Sequence, residues 1–204
     1  MPAKEVIPVL PRVFCLVSTR DDLSLLPDLA RAGVDGFQVR AKEGTDREVL
    51  ALTELVIGAV RPHGACVVVN DRVDVALAAG ADGVHLGADD LPVAAARRLA
   101  AELLVGATCR SRADVERAAL AGASYAGLGP VWATTSKAGL PAPLGPAALT
   151  EAAGLLPLVA IGGVTPERAA QARAAGAHGV AVIGGLWNTR DPLAAAGELV
   201  ATLG

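Results

Sequence analysis

The sequence has few cysteines and few lysines, and it lacks any long hydrophobic segment. Its three cysteines, Cys15, Cys66 and Cys109, are an odd number without the short spacing of a metal-binding motif. We therefore expect neither disulfides nor a zinc site, but reduced and mostly buried thiols. Charges or glycines interrupt every apolar run before the roughly 18 residues that a membrane-spanning helix needs. Residues 1–12 contain three prolines and no apolar core, so no signal peptide is expected.

Neither sign of charge dominates the sequence. The formal net charge is −3, with 18 basic and 21 acidic residues interspersed along the chain. This balance provides no electrostatic patch for nucleic acid or for an anionic membrane. We expect a soluble cytoplasmic protein whose partners are small molecules, and the sequence leaves the oligomeric state open. Only three of the basic residues are lysines, so a lysine inside the domain is informative.

Strand patterns alternate with helix patterns along the whole chain. The strands are predicted at 13–18, 36–40, 67–70, 83–86, 104–108, 125–129, 158–161 and 180–183. The helices are predicted at 21–32, 46–60, 71–79, 92–101, 111–121 and 145–154, from 165 onward, and at 192–203. Eight units of roughly 25 residues predict an α/β fold, a single (β/α)8 TIM barrel over 1–204 with 1–12 as an N-terminal extension. An open doubly wound sheet is the alternative.

Four of these strands follow nearly the same short sequence, which begins with Ala-Gly. The four copies lie at 32–36, 79–83, 121–124 and 175–179. The glycine supplies the left-handed residue that ends a helix, and the next strand begins within about four residues. The long segment 130–144 has no such pattern, and its length indicates a functional loop.

Acidic residues follow two neighbouring strands of the predicted barrel. Asp71 comes after the third strand, and Asp89 and Asp90 come after the fourth. The loops after the strands of a barrel meet at one rim, so two carboxylates there are placed to hold a divalent cation. Helix capping is the alternative, because Asp71 with Asp74 resembles a capping box and Asp90 precedes a proline as an N-cap would.

The same rim carries cations and hydrogen-bonding side chains. They are Arg40, Lys42, Asn70, Thr108, Thr134, Thr135, Ser136 and Lys137. Two of the three lysines thus lie in rim loops, where a compact ammonium suits a phosphate oxygen. With the carboxylates, these groups suit a polyanion bound together with a divalent cation. A surface pair of Arg40 or Lys42 with Glu43 is the alternative.

Glycine pairs follow the last two strands, at Gly162-Gly163 and at Gly184-Gly185. Barrels frequently bind phosphate on backbone N–H groups between these two loops. Tight turns are the alternative for either pair alone. Occurring together, the two pairs favour phosphate binding.

The histidines are less informative. His63 and His178 precede strands, which places them at the opposite end of the barrel. His85 lies within the fourth strand, and we interpret it as a hydrogen-bonded interior residue rather than a general base. Cys109 lies on the active rim without a nearby histidine, so we interpret it as inert.

The residues also resemble the thiamine-phosphate synthase (thiamine-phosphate pyrophosphorylase) family, with the thiazole tautomerases as close relatives. The similarity covers nearly the whole chain, and its motifs are Gln-Val-Arg-Ala-Lys at 38–42, Asn-Asp-Arg at 70–72, Gly-Val-His-Leu-Gly-Ala-Asp-Asp at 83–90, Gly-Pro-Val-Trp-Ala-Thr-Thr-Ser-Lys at 129–137 and Ala-Ile-Gly-Gly-Val at 160–164. The resemblance implies a transferase that condenses 4-amino-5-hydroxymethyl-2-methylpyrimidine diphosphate with thiazole phosphate. The products would be thiamine phosphate and pyrophosphate.

The resemblance further implies a role for each matching residue. Asp71 and Asp90 would bind Mg²⁺. The pyrimidine diphosphate would be held by Gln38, Arg40, Lys42, Asn70, Thr108 and Lys137. The thiazole phosphate would be held by Thr134, Thr135, Ser136, Gly163, Ile183 and Gly184. Stabilisation of the departing pyrophosphate would be the main catalytic effect, without a covalent nucleophile.

The sequence departs from the family pattern at three positions. Ser136 stands where threonine is usual, and Thr108 and Gly184 stand where serine is usual. Gly184 lacks one phosphate donor, which bears on thiazole affinity rather than on the reaction type. A thiazole tautomerase and a non-catalytic regulator that binds thiazole phosphate are the alternative functions. Those tautomerases carry a histidine at the position of Pro130 and lack the paired metal aspartates.

Overall fold

Eight parallel strands form the centre of the molecule. In the computed structural model, which describes residues 9–134, 139 and 141–204, they are β1 Val13–Val17, β2 Gly36–Val39, β3 Cys66–Asn70, β4 Gly83–Leu86, β5 Leu104–Cys109, β6 Tyr125–Leu128, β7 Leu158–Ile161 and β8 Gly179–Val182. Each strand pairs with the next along the chain, and β8 pairs with β1 to close the barrel. The predicted (β/α)8 barrel is confirmed, and the open doubly wound sheet is wrong.

Helices connect the strands on the outside of the barrel. They are α1 Leu26–Arg31, α2 Asp46–Val60, α3 Val73–Ala79, α4 Val93–Leu99, α5 Arg112–Leu120, α6 Ala147–Ala152, α7 Pro166–Ala174, α8 Gly184–Trp187 and α9 Pro192–Leu203. Sequence periodicity located all of them except α8, because four residues are too few to display a helical period. The first predicted helix is split, with a 3-10 turn at Leu23–Leu25 ahead of α1.

Side chains alternate between two packed layers. In β1, Val13 and Val17 face outward and belong to the same apolar cluster as Leu29 of α1. Phe14 faces inward and belongs to the interior cluster with Tyr125 of β6. The inner layer fills the barrel, so a ligand site is expected where the strands end and the loops begin.

Glycines end four of the helices where the repeated Ala-Gly sequence predicts them. Gly33, Gly80, Gly122 and Gly176 have φ values of 102°, 65°, 92° and 95°. These left-handed conformations cost little for a residue without Cβ. The repeat therefore marks helix ends on the rim opposite the strand carboxyl ends.

The described part of the N-terminal segment is tied to the barrel. The backbone N–H of Arg12 donates to both carboxylate oxygens of Asp35, at 3.0 and 2.9 Å. His178 lies in the same region, with its Nε2 3.1 Å from the Leu10 carbonyl oxygen. Residues 1–8 of the predicted extension lie outside the described residues.

The three cysteines are buried and free, as the sequence predicts. Burial raises the pKa of all three thiols, for Cys109 to about 12. None of the helices in the described part of the chain combines the length and the apolar character that crossing a membrane requires.

Candidate active site

A cavity of about 970 Å³ opens where the strands end. Its walls include residues that lie in or just after β2 to β8. Eleven of the predicted site residues line it: Gln38, Arg40, Lys42, Asn70, Asp71, Asp90, Thr108, Thr134, Gly163, Ile183 and Gly184. The remaining three, Thr135, Ser136 and Lys137, lie outside the described residues. The barrel thus brings every described member of the predicted set to one cavity.

The two carboxylates meet on one side of this cavity. Asp71 directly follows β3, has a φ of 68°, and donates its N–H to the His85 carbonyl oxygen at 2.8 Å. Asp90 folds back over its own loop, with Oδ2 accepting from the Gly87 N–H at 2.6 Å. The carboxyl groups of Asp71 and Asp90 are within hydrogen-bonding distance of each other. Successive parallel strands therefore bring both groups to one point, as predicted.

Neither aspartate caps a helix. The N-cap of α3 is Arg72 and the N-cap of α4 is Pro92, and neither makes a side-chain capping bond. The capping interpretation is wrong for both residues, because each helix begins two or three residues after its aspartate. Asp71 and Asp90 thus lie at the cavity wall, and helix capping does not explain their presence there.

The pKa values of the two neighbouring carboxyl groups shift in opposite directions. Burial, and then the contact with Asp90, raises the pKa of Asp71, although Lys42 acts in the opposite direction. Burial also acts to raise the pKa of Asp90, but hydrogen bonds from the Asp71 carboxyl and from the Gly87 N–H outweigh it and lower that pKa. A cation at this point would relieve the repulsion between two ionised carboxylates.

Lys42 completes this side of the cavity. Its Nζ lies 3.0 Å from Asp71 Oδ2. In the described part of the chain, Glu43 pairs with Arg20 instead, through an Nη2–Oε2 distance of 2.6 Å. The proposed surface pair with Glu43 is therefore wrong for Lys42, and the ammonium group faces the carboxylates.

Two amides lie deeper in the cavity. Gln38, which is only 5% exposed, donates from Nε2 to Asn70 Oδ1 at 2.8 Å. This bond fixes both side chains and leaves the Asn70 amide nitrogen as a donor toward a ligand. The pair can orient a polar ring or a phosphate oxygen.

A chain of three polar side chains crosses the floor of the cavity. His85 Nδ1 lies 3.2 Å from the Tyr125 hydroxyl, and His85 Nε2 lies 3.0 Å from Thr108 Oγ1. The predicted hydrogen-bonded interior role of His85 is confirmed. Burial lowers the pKa of His85 to about 4, so its ring is neutral at pH 7. Tyr125 was not predicted as a cavity residue, because a single tyrosine at the start of a strand is an ordinary core residue in sequence.

The loops after β7 and β8 form the opposite side of the cavity. Gly162 and Gly163 have φ values of 95° and 66°. A Cβ on Gly163 would overlap the Ala133 carbonyl oxygen, and one on Gly185 would overlap that of Val164. The turn interpretation therefore holds for Gly162 and Gly163, whereas Gly184 and Gly185 begin α8. At both pairs the absence of side chains leaves backbone facing the cavity.

Two arginines that line the cavity were not singled out from the sequence. Arg168 Nη1 donates to the Gly163 carbonyl oxygen at 2.6 Å, and its guanidinium lies 5.7 Å from the Trp132 ring centroid. Arg110 donates to the carbonyl oxygens of Gly129 and Ala142, at 3.2 and 3.0 Å. Both support the loops around the site. Arginine is common in this chain, so residue type alone gave no signal.

Comparison with known proteins identifies the family to which this chain belongs. A model of the family described as thiamine monophosphate synthase matches residues 6–186. The chain belongs to the thiamine monophosphate synthase family. Membership makes it a transferase of the thiamine-phosphate synthase type and agrees with the resemblance carried by its sequence motifs.

Individual members of the thiamine monophosphate synthase family match over most of the chain. A thiamine-phosphate synthase of Chlorobium luteolum is 42% identical over 196 residues, which are 94% of this chain and 92% of that protein. A thiamine biosynthesis bifunctional protein of Symbiobacterium thermophilum is 48% identical over 188 residues, covering 90% of this chain and 39% of that protein. The solved thiamine phosphate pyrophosphorylase of Pyrococcus furiosus superposes with a TM-score of 0.85 at 29% identity, covering 94% of this chain and 95% of that one.

Proposed function

We propose that this member of the family condenses 4-amino-5-hydroxymethyl-2-methylpyrimidine diphosphate with thiazole phosphate, releasing pyrophosphate with the assistance of Mg²⁺. The observation that carries the proposal is the division of one cavity into two sides. Asp71, Asp90 and Lys42 lie on one side, and the glycine loops at Gly163 and Gly184 lie on the other. Two phosphorylated substrates require two such anion sites at once.

The two carboxylates fit a magnesium site that the substrate completes. Mg²⁺ prefers oxygen ligands in octahedral geometry, and it is often held by one or two carboxylates together with substrate phosphates and water. Among the described residues, no group of three or more His, Cys, Asp or Glu side chains is placed to hold a metal ion. Asp71 and Asp90 would therefore share the ion with the diphosphate. Bound there, Mg²⁺ would neutralise charge that develops on the departing pyrophosphate.

The remaining residues of the carboxylate side bind and orient the first substrate. Lys42 and Arg40 place positive charge beside the diphosphate, and the Gln38–Asn70 pair and Thr108 supply neutral hydrogen bonds. These interactions strengthen as the bond between the pyrimidine methylene and the diphosphate breaks, because charge then accumulates on the leaving oxygens. Lys137 is proposed to join them on sequence grounds.

The glycine side binds the second substrate so that its ring nitrogen faces the methylene. Backbone N–H groups at Gly163 and Gly184, with Ile183 and Thr134 beside them, would hold the thiazole phosphate. Thr135 and Ser136 are proposed to contribute hydroxyls on sequence grounds. The thiazole nitrogen then attacks the methylene carbon that pyrophosphate has left, so the protein needs no nucleophile of its own.

A coupled assay for pyrophosphate tests this proposal. The purified chain is supplied with both substrates, with each one alone, and with both in the presence of excess chelator. We expect pyrophosphate release only when both substrates and Mg²⁺ are present. Binding of thiazole phosphate without any release of pyrophosphate would favour a tautomerase or a regulator instead.

A further inference from the structure

The polar chain on the cavity floor contains two residues that the proposed reaction does not use. Tyr125 begins β6, His85 lies in β4, and Thr108 lies in β5 between them. Tyr125 is 1% exposed, whereas the Thr108 side chain reaches the cavity. The three groups are linked in series through the two ring nitrogens of His85. The direction of the Tyr125 hydrogen bond therefore determines the direction of the hydrogen bond at Thr108.

The barrel makes room for this series with glycines. A Cβ on Gly106 would overlap both the Tyr125 ring and His85 Nδ1, and one on Gly127 would lie 2.8 Å from His85 Cε1. Phe14 stacks on the Tyr125 ring, with ring centroids 5.6 Å apart and an angle of 20° between the ring planes. Packing therefore holds the rings of Tyr125 and His85 in one arrangement.

The direction of each hydrogen bond follows from which acceptors are available to the hydroxyl protons. Among the described residues, His85 Nδ1 is the only hydrogen-bond partner of the Tyr125 hydroxyl. A buried hydroxyl proton needs an acceptor, so Tyr125 donates and Nδ1 accepts. An accepting Nδ1 carries no proton, so the ring proton of His85 sits on Nε2 and is donated to Thr108 Oγ1. With this oxygen accepting from inside the barrel, the Thr108 hydroxyl proton is directed toward the cavity.

We infer that Tyr125 and His85 are positioning residues that fix the Thr108 hydroxyl as a hydrogen-bond donor to an acceptor oxygen of the bound substrate. The inference rests on the proposed function, in which that oxygen belongs to the diphosphate. A free threonine hydroxyl can rotate and either donate or accept, whereas a diphosphate oxygen only accepts. Fixing the donor in advance removes the cost of orienting it as the leaving group gains charge.

The first test determines the His85 tautomer in the wild-type protein. The chain has three histidines, so two-bond ¹H–¹⁵N correlations of labelled protein resolve each ring, and His63→Gln and His178→Gln assign the other two. We expect protonated Nε2 and unprotonated Nδ1 in His85. A proton on Nδ1 with bare Nε2 would overturn the inference, because Thr108 would then donate to the histidine. This result does not depend on any enzymatic activity.

The second test is a double-mutant cycle between Tyr125→Phe and Thr108→Val. Tyr125→Phe removes one hydroxyl and keeps the ring that stacks on Phe14. We expect it to lower kcat/KM for the pyrimidine diphosphate about tenfold in the wild-type background, as expected for a weakened hydrogen bond to a charged group, and less than about twofold in the Thr108→Val background. Thr108→Ser retains the hydroxyl and should retain the coupling.

Thr53→Val is the matched control. Its hydroxyl donates to the Val49 carbonyl oxygen inside α2, away from the cavity, so Tyr125→Phe should keep its full effect in that background. An equal effect of Tyr125→Phe in the wild-type and Thr108→Val backgrounds would overturn the inference and leave the proposed function intact. Absence of pyrophosphate release by the wild type would refute the proposed function, and the tautomer measurement would still decide whether the Thr108 hydroxyl is fixed as a donor toward the cavity.

Discussion

Asp71 combines a functional side chain with an unusual backbone conformation. Its φ of 68° lies in the left-handed region, which aspartate and asparagine occupy more readily than other residues with a side chain. This conformation turns the chain away from β3 and aims the carboxylate at Asp90 and Lys42. An asparagine at this position keeps the backbone preference and removes the charge, so it separates the chemical role from the structural one.

We expect Asp71→Asn and Asp90→Asn each to lower Mg²⁺-dependent pyrophosphate release by at least about 100-fold, because each removes a charge that the metal and the transition state need. Thermal unfolding should change little, since neither residue caps a helix and the side-chain oxygen of asparagine at position 90 can still accept from the Gly87 N–H. Asp74→Asn is the matched control, because Asp74 pairs with Arg72 on the surface of α3. Near-normal turnover in either site variant would remove that aspartate from the metal site.

The cysteine thiols give a prediction for pH dependence. Burial raises the pKa of Cys109 to about 12 and also raises that of Cys15 and Cys66, whereas a thiol in an unfolded chain ionises near pH 8.5. The folded state thus favours the protonated thiols. This contribution to stability is fully present below about pH 8.5 and is lost as the pH rises toward 12.

A thiol reagent at pH 8 should therefore leave the native protein unmodified and titrate three thiols after unfolding in guanidinium. Urea titrations at pH 8 and pH 10 should give a lower free energy of unfolding at the higher pH. Rapid stoichiometric modification of native Cys109 would contradict the burial account and reopen the interpretation of that residue as inert.

At the scale of the elements, the loop after β7 depends on glycine for its path. Gly163 has a φ of 66°, and an added Cβ would overlap the Ala133 carbonyl oxygen. We expect Gly163→Ala to lower the free energy of unfolding by about 1–3 kcal/mol and to raise KM for thiazole phosphate, because the backbone must move out of the phosphate site. Denaturant titration and steady-state kinetics measure the two effects.

Gly197→Ala provides the matched control for this substitution. Gly197 lies in the middle of α9, and an added Cβ would meet no atom within 4 Å apart from its chain neighbours and the backbone of its own helix. The change should therefore raise stability by up to about 1 kcal/mol and leave the kinetics unaltered. Equal effects of the two substitutions would mean that the conformation of Gly163 has no special role.

Some features of the helices, strands and loops could be predicted from the sequence, and others could not. Strand ends were predictable because an apolar run and the polar residue after it are local features, and this placed Asp71 and Asp90 on one rim. The Lys42–Asp71 pair and the Tyr125–His85–Thr108 series were not predictable, because they join neighbouring strands through side-chain directions that no local pattern encodes. Helix α8 was not predicted, because it is too short to show a helical period.

For the whole molecule, closure of the barrel turns separate loops into one cavity with two sides. Residues in or just after β2 to β5 supply charges and amides, and residues after β7 and β8 supply backbone groups. We propose that these sides are two anion sites, of which only one requires a metal ion. Each site should therefore bind its own ligand in the absence of the other.

Calorimetric titration of the two ligands, with and without Mg²⁺, shows whether the two sides are separate anion sites. We expect pyrophosphate to bind only with Mg²⁺ and to lose affinity in the Asp71→Asn and Asp90→Asn variants. Thiazole phosphate should bind without metal, and Gly184→Val should abolish this binding alone, because a side chain would fill the phosphate site. Binding of thiazole phosphate with no binding of pyrophosphate under any metal condition would mean that the cavity has no metal-dependent diphosphate site.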